Sequence, residues 1–176
     1  VLGSFDSEEM NNLIREIFPI NTYKKKALPT LVARKENSKV KVVTENIESS
    51  QDNLIITLNT LGLTDYERNY PLSLLNVILG GGTESLLFNE VREKKSLAYT
   101  ISSTPNKLDN LIIIRGGISS GKSKEAVKII KMILKDLAKG KFDDNMVIKA
   151  KEYYTSALDD IIESALQIIE SYYMIE

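Results

Sequence analysis

The sequence predicts an α+β domain in which a mainly antiparallel sheet is covered on one face by helices. Three observations carry that expectation. Short aliphatic and β-branched runs at 54–58, 97–103 and 111–118 have the length and composition of strands. Longer segments repeat apolar residues every three or four positions, as helices with one buried face do. Strands followed by paired helices, then strands and paired helices again, argue for helices gathered on one face of a mainly antiparallel sheet.

Val1 and Leu2 resemble the end of a strand, and a helix follows with Asp6 or Ser7 at its N-cap. Glu8 and Glu9 lie in the first turn, where the helix dipole favours them. Met10, Leu13, Ile14 and Ile17 form the apolar stripe, and Pro19 stops the helix. Residues 20–39 read as an irregular linker carrying the solvated cluster Lys24-Lys25-Lys26. Val40, Val42 and Ile47 suggest a first strand of the next domain, and Leu54-Ile55-Ile56-Thr57-Leu58 a second. Thr64 and Glu67 have capping-box spacing. The helix they open contains Pro71, so its first part is expected to be a separate turn. Gly80-Gly81-Gly82 break the chain before a second helix expected over 83–95, with Leu86, Leu87, Phe88 and Val91 inward. Two strands, 97–103 and 111–118, flank a polar turn at 105–110. The rest is helical: one amphipathic helix ends at Gly140, and a long one covers 143–174 with a break near Asp159-Asp160. The domain division expected is 1–37, a remnant of a preceding domain plus linker, and 38–176.

Composition removes whole classes of chemistry. The 176 residues are 43% hydrophobic and 27% charged, ample for a packed core and unlike a disordered chain. The formal net charge of -1 offers no broad basic footprint, so nucleic acid is not expected as a partner. With no Cys and no His there is no disulfide, thiolate nucleophile, imidazole base or His-based zinc site. No aliphatic run approaches the roughly 20 residues of a spanning helix, so no membrane partner is expected. The absence of an initial Met reads as a piece of something longer. No signal peptide is visible, and an excess of Lys, Ile and Asn suits an AT-rich bacterial genome, so the expected location is the bacterial cytoplasm.

One motif points to nucleotides. Gly116-Gly117-Ile118-Ser119-Ser120-Gly121-Lys122-Ser123 satisfies G-x-x-x-x-G-K-[ST] between a strand and a helix. Backbone amides there would cradle phosphates, with Lys122 on the outer ones and Ser123 on Mg²⁺. Against it, the chain after Ser123 is helical throughout, and no strand ends in the Asp that would hold the metal. The competing reading is a solvated Gly/Ser turn with Ser123 as a helix N-cap.

The most informative window is 75–99, a helix, a triple-glycine turn, a helix and a strand. The turn needs small residues where two helices reverse closely. Arg92 and Tyr99 stand seven apart, a donor fork and a hydroxyl that together can hold a peptide carbonyl or a carboxylate. Their ordinary alternatives are an intrahelical ion pair or helix cap for Arg92, and a half-buried strand aromatic for Tyr99.

This window resembles the pitrilysin-type zinc metallopeptidases, the family of insulin-degrading enzyme and the mitochondrial processing peptidase. The resemblance rests on Leu79-Gly80-Gly81-Gly82, Ser85, Leu87-Phe88, Val91-Arg92-Glu93 and Leu97-Ala98-Tyr99. It extends more weakly to 45–58, similar to the strand pair opening the family's non-catalytic domain, and to 3–18, similar to the end of the domain before it. Glu84 and Asn89 depart from many relatives. The resemblance implies the C-terminal, catalytically silent half of a zinc peptidase or of its inactive partner subunit. It implies no cofactor in this chain, with Zn only in a homologous N-terminal domain or partner subunit, as in a dimer of homologous parts. It further implies an extended peptide substrate whose backbone Arg92 and Tyr99 contact. A purely structural subunit, with the double-Tyr pairs at 153–154 and 172–173 at an interface, is the remaining alternative.

Overall fold

The computed structural model describes residues 2–18, 39–107 and 109–173. Two compact units divide the chain: Val1–Arg34 with Asp159–Glu176, and Lys35–Leu158. The expectations for Val1, Pro19, the linker with its lysine cluster, Leu108 and Met174 lie outside the described residues.

In the first unit, helix α1 (Ser7–Ile17) starts as expected. The Asp6 carboxylate accepts from the Glu8 and Glu9 amides at 3.0 and 2.9 Å, satisfying two donors the first turn leaves open. Leu2 is not in a strand.

The second unit holds the sheet. Strands β1 (Gln51–Asn59), β2 (Ala98–Asn106) and β3 (Leu111–Ser119) are all antiparallel, in the order β1-β3-β2. Helices α2 (Asp65–Asn69), α3 (Pro71–Gly80) and α4 (Ser123–Leu137), with a π-helical turn at Phe88–Glu93, complete its core. Leu79, Leu87, Val91, Ile114, Ile118 and Ile130 are buried at its centre, with Leu54, Ile56 and Leu58 of β1 packed against them. The strand faces alternate as period-2 geometry requires. Ile112 and Ile114 are buried among the helices, whereas Asn53, Ile55, Thr57, Ser102, Thr104 and Arg115 face outward.

Several expectations are corrected. Residues 40–47 form no strand: Val40, Val42, Val43 and Ile47 are 70–88% exposed, and among the described residues no strand pairs with them. The region similar to a strand pair therefore supplies one strand, β1. The helix expected over 83–95 begins only at Leu86 and passes into π register. The hairpin turn starts at Lys107, because edge strand β2 accommodates Pro105, whose missing N–H costs no ladder bond there. Helix α5 (Asp144–Glu163) runs through Asp159-Asp160 and breaks at Ser164 before α6 (Ala165–Tyr173). Both acids are exposed and tolerated, whereas the Ser164 hydroxyl accepts from the Gln167 amide at 3.4 Å and caps the new helix. The separate turn before Pro71 is observed as α2. Its capping box is complete, since Thr64 Oγ1 accepts from the Glu67 amide and the Glu67 carboxylate accepts from the Thr64 amide.

Candidate functional site

The triple glycine is a close-packing device. All three have negative φ, so none is required for left-handed backbone. Gly80 ends α3 against β2, and a Cβ there would lie 2.7 Å from the Ser103 backbone nitrogen and 2.8 Å from Leu87. At Gly81 it would meet the Val77 Cα at 2.8 Å. Gly82 is less confined, with only the Tyr153 ring at 3.6 Å. Next to this junction the Ser103 hydroxyl donates to Asn76 Oδ1 at 2.7 Å, both residues buried, so helix and strand are pinned by a satisfied polar pair.

From the turn the chain enters the π-helical segment that carries Arg92. The Lys94 amide bonds to the Asn89 carbonyl, five residues back, at 2.9 Å. Leu87 and Val91 fill the core, while Phe88 and Arg92 lie on the outer side. The Arg92 guanidinium stacks over the Phe88 ring at 4.6 Å from its centroid, and its Nε is 3.7 Å from the Glu93 carboxylate. That separation is too long for a hydrogen bond. Among the described residues the two terminal nitrogens donate to no acceptor. The helix closes on Ser96, whose φ of 49° is left-handed and whose amide bonds to the Arg92 carbonyl at 2.9 Å.

Tyr99 follows three residues later and is the extra residue of a β-bulge. Ala98 pairs with Ile118 and Thr100 with Gly117, so two steps on β2 match one on β3. Tyr99 and Thr100 are consequently both exposed, where strict alternation would bury one of them; Tyr99 is 59% exposed. Structure thus brings Arg92 and Tyr99 to the two ends of one tight connection, both side chains outward. Tyr99 is more open than a half-buried strand aromatic, and the ion pair expected for Arg92 is a loose one. Nothing in the residue types announced the π register or the bulge.

The phosphate-loop motif is taken apart by the fold. Gly116 and Gly117 lie inside the central strand β3, where a Cβ on Gly117 would meet Gln51 Oε1 at 2.5 Å. The amide of Gly121 and the hydroxyl of Ser123 both donate to the Asp52 carboxylate, at 3.2 and 2.8 Å. A carboxylate held where the phosphates would sit repels them. Lys122 pairs instead with Glu125 at 3.5 Å, and it, not Ser123, is the N-cap of α4.

Glu84 and Asn89 line a cleft of about 490 Å³, together with Val77, Met146, Ala150 and Tyr153. Lys149 donates to Glu84 across its rim at 2.9 Å, and this hydrogen bond raises the Lys149 pKa above its usual value. A metal centre does not fit: the sequence has no His or Cys, and among the described residues no three carboxylates converge.

Comparison with known proteins gives the family. A model of the family described as "Peptidase M16 inactive domain" matches residues 1–154. This chain belongs to the peptidase M16 inactive-domain family. The "Probable inactive metalloprotease YmfF" of Bacillus subtilis is 27% identical over 176 residues, covering 98% of this chain and 40% of the relative. An "Uncharacterized zinc protease" of Mycobacterium leprae is 31% identical over 105 residues, covering 58% of this chain and 23% of the relative. Among solved structures, a conserved protein from Enterococcus faecalis superposes with a TM-score of 0.83 at 22% identity, covering 98% of this chain and 40% of that one. A peptidase M16 inactive domain from Pseudomonas fluorescens gives 0.53 at 26% identity, over 64% of this chain and 28% of that one. This M16 chain thus spans about two fifths of the length of the relatives it matches along nearly its whole length. Its α+β architecture is that of M16 inactive domains, and the expected family stands. Among the described residues no helix is long and apolar enough to cross a membrane.

Proposed function

We propose that this M16 inactive domain is the non-catalytic part of a zinc-dependent peptidase, closing over an extended peptide held at a zinc domain supplied elsewhere. The observation that carries the proposal is the pairing of Arg92 and Tyr99 at one connection, each with donors that no described residue occupies. Stacking on Phe88 fixes the guanidinium plane while leaving its terminal N–H groups outward, and the bulge turns the Tyr99 hydroxyl out of the sheet. Both are hydrogen-bond donors suited to a peptide carbonyl, and they gain strength where a closing partner excludes water. The partner is a homologous N-terminal domain or subunit, and zinc belongs there, since this chain has no His or Cys and among its described residues no acidic cluster to hold the ion. The boundary near residue 38 divides a remnant of the preceding domain from the substrate-closing one, and the bacterial cytoplasm is the proposed setting.

The test is Arg92→Ala and Tyr99→Phe in the full-length protein assembled with its zinc domain, read as turnover of a fluorogenic peptide. Loss of one such donor is expected to lower kcat by about 10²-fold. Unchanged turnover and unchanged peptide affinity in both variants would refute the role and leave a structural subunit as the better account.

A further inference from the structure

The outward face of the sheet carries a single formal charge among the described residues, and it sits at the centre. Arg115 lies on the middle strand β3, between Ile55 of β1 and Ser102 of β2 in the pairing register. The diagonal neighbours are Asn53 and Thr57 on one side and Thr100 and Thr104 on the other, all exposed and all uncharged. Among the described residues the Arg115 side chain makes no ion pair or hydrogen bond. The one carboxylate of β1, Asp52, turns to the opposite side and is committed to Gly121 and Ser123. A cross-strand acid would stabilise this cation, but it is ringed instead by hydroxyls, an amide and an isoleucine.

We propose that Arg115 is a specificity-determining residue: it receives an Asp or Glu side chain of the extended peptide that Arg92 and Tyr99 hold by its backbone. This inference rests on the function proposed above. The charge on the face is unbalanced and positive, so a carboxylate complements it, whereas a cationic side chain meets repulsion. A guanidinium flanked by Ser and Thr hydroxyls suits a carboxylate, which accepts the bidentate fork with further donors alongside. The register also sets a spacing. Tyr99 precedes Ser102, the partner of Arg115, by three residues, about 10 Å along β2, and Arg115 is one strand further, about 4.8 Å. An extended peptide covers that separation in about three residues. The acidic side chain is therefore placed about three positions from the carbonyl that Tyr99 engages.

The experiment uses the full-length protein and a fluorescein-labelled neutral peptide in which one Glu, Gln or Lys is moved along the chain, read by fluorescence anisotropy. A Glu at one position is expected to bind about three- to five-fold tighter than Gln there, the preference shrinking at high salt. Arg115→Gln should equalise the two, and Arg115→Glu should reverse the order in favour of Lys. Arg92→Ala should weaken Glu and Gln peptides alike. If Glu and Gln bind equally at every position, or if Arg115→Gln keeps the preference, the assignment of Arg115 falls while an Arg92 effect would keep the backbone-holding role. If no peptide binds, both fall.

Discussion

Gly80→Ala tests whether the triple glycine is a packing device. The added methyl would begin 2.7 Å from the Ser103 amide nitrogen, 2.7 Å from its hydroxyl and 2.8 Å from a Leu87 methyl. Ordinary contact starts at about 3.5 Å, so the end of α3 must retreat from β2 by roughly 0.8 Å. The Ser103 nitrogen belongs to the strand backbone and Leu87 is fully buried, so neither neighbour has room to yield. Retreat also stretches the 2.7 Å bond between Ser103 and Asn76, which are buried and have no water to replace it. Overpacking of this kind costs about 1–3 kcal/mol. For a chain of this size a cost near 2 kcal/mol lowers Tm by about 4–8 °C. Gly82→Ala is the matched control, because its methyl would meet only the Tyr153 ring at an ordinary 3.6 Å. Urea unfolding followed by circular dichroism reads both. Equal stability of Gly80→Ala and the native chain, or equal loss at Gly80 and Gly82, would refute the reasoning.

Other parts of the structure give further expectations. Ser96→Gly removes a side chain from left-handed backbone at the helix end and should stabilise the chain by about 1 kcal/mol, raising the urea midpoint; a lower midpoint would contradict the capping account. Asp52→Ala frees the Gly121 amide and Ser123 hydroxyl and should cost about 1–2 kcal/mol. Mg-ATP should leave the native Tm unmoved, and saturable ATP binding abolished by Lys122→Ala would restore the phosphate-loop reading. Thr64→Ala should cost about 1 kcal/mol at neutral pH. The Thr64 amide and hydroxyl hold the Glu67 pKa below its usual 4.5, so this carboxylate's stabilising effect is present above that value and lost as pH falls below it. The gap in urea midpoint between Thr64→Ala and the native chain should therefore narrow at pH 3, and an unchanged gap would count against the capping box.

Where expectation and structure part, the cause lies in how segments pair and not in which residue types they contain. Residues 54–58 were legible as a strand because a short aliphatic and β-branched run signals one whatever its register. The 40–47 segment shares that composition yet forms no strand, since a strand needs a partner and the pattern does not say whether one is present. The π register at Phe88–Glu93 and the bulge at Tyr99 are single-residue shifts in hydrogen bonding. Neither changes which residue types are apolar, so neither leaves a trace in periodicity. The phosphate-loop motif is the converse case: its spacing is complete, the helical chain after it already spoke against it, and Asp52, 69 residues away from Gly121, occupies the position a ligand would need.

The sequence by itself determined the class of fold, the capping box of α2, the interruption of the chain at the glycines, the family, and the absence of His and Cys. These follow from composition and short-range pattern, which need only a few neighbouring residues to express themselves. The tertiary structure alone decided that Gly80 is needed for close approach rather than for φ, that Tyr99 is bulged outward, and that Arg115 has no charged partner among the described residues on the outward face of the sheet. Each of these depends on pairing between segments far apart in the chain, and long-range register is written in no local stretch of residues.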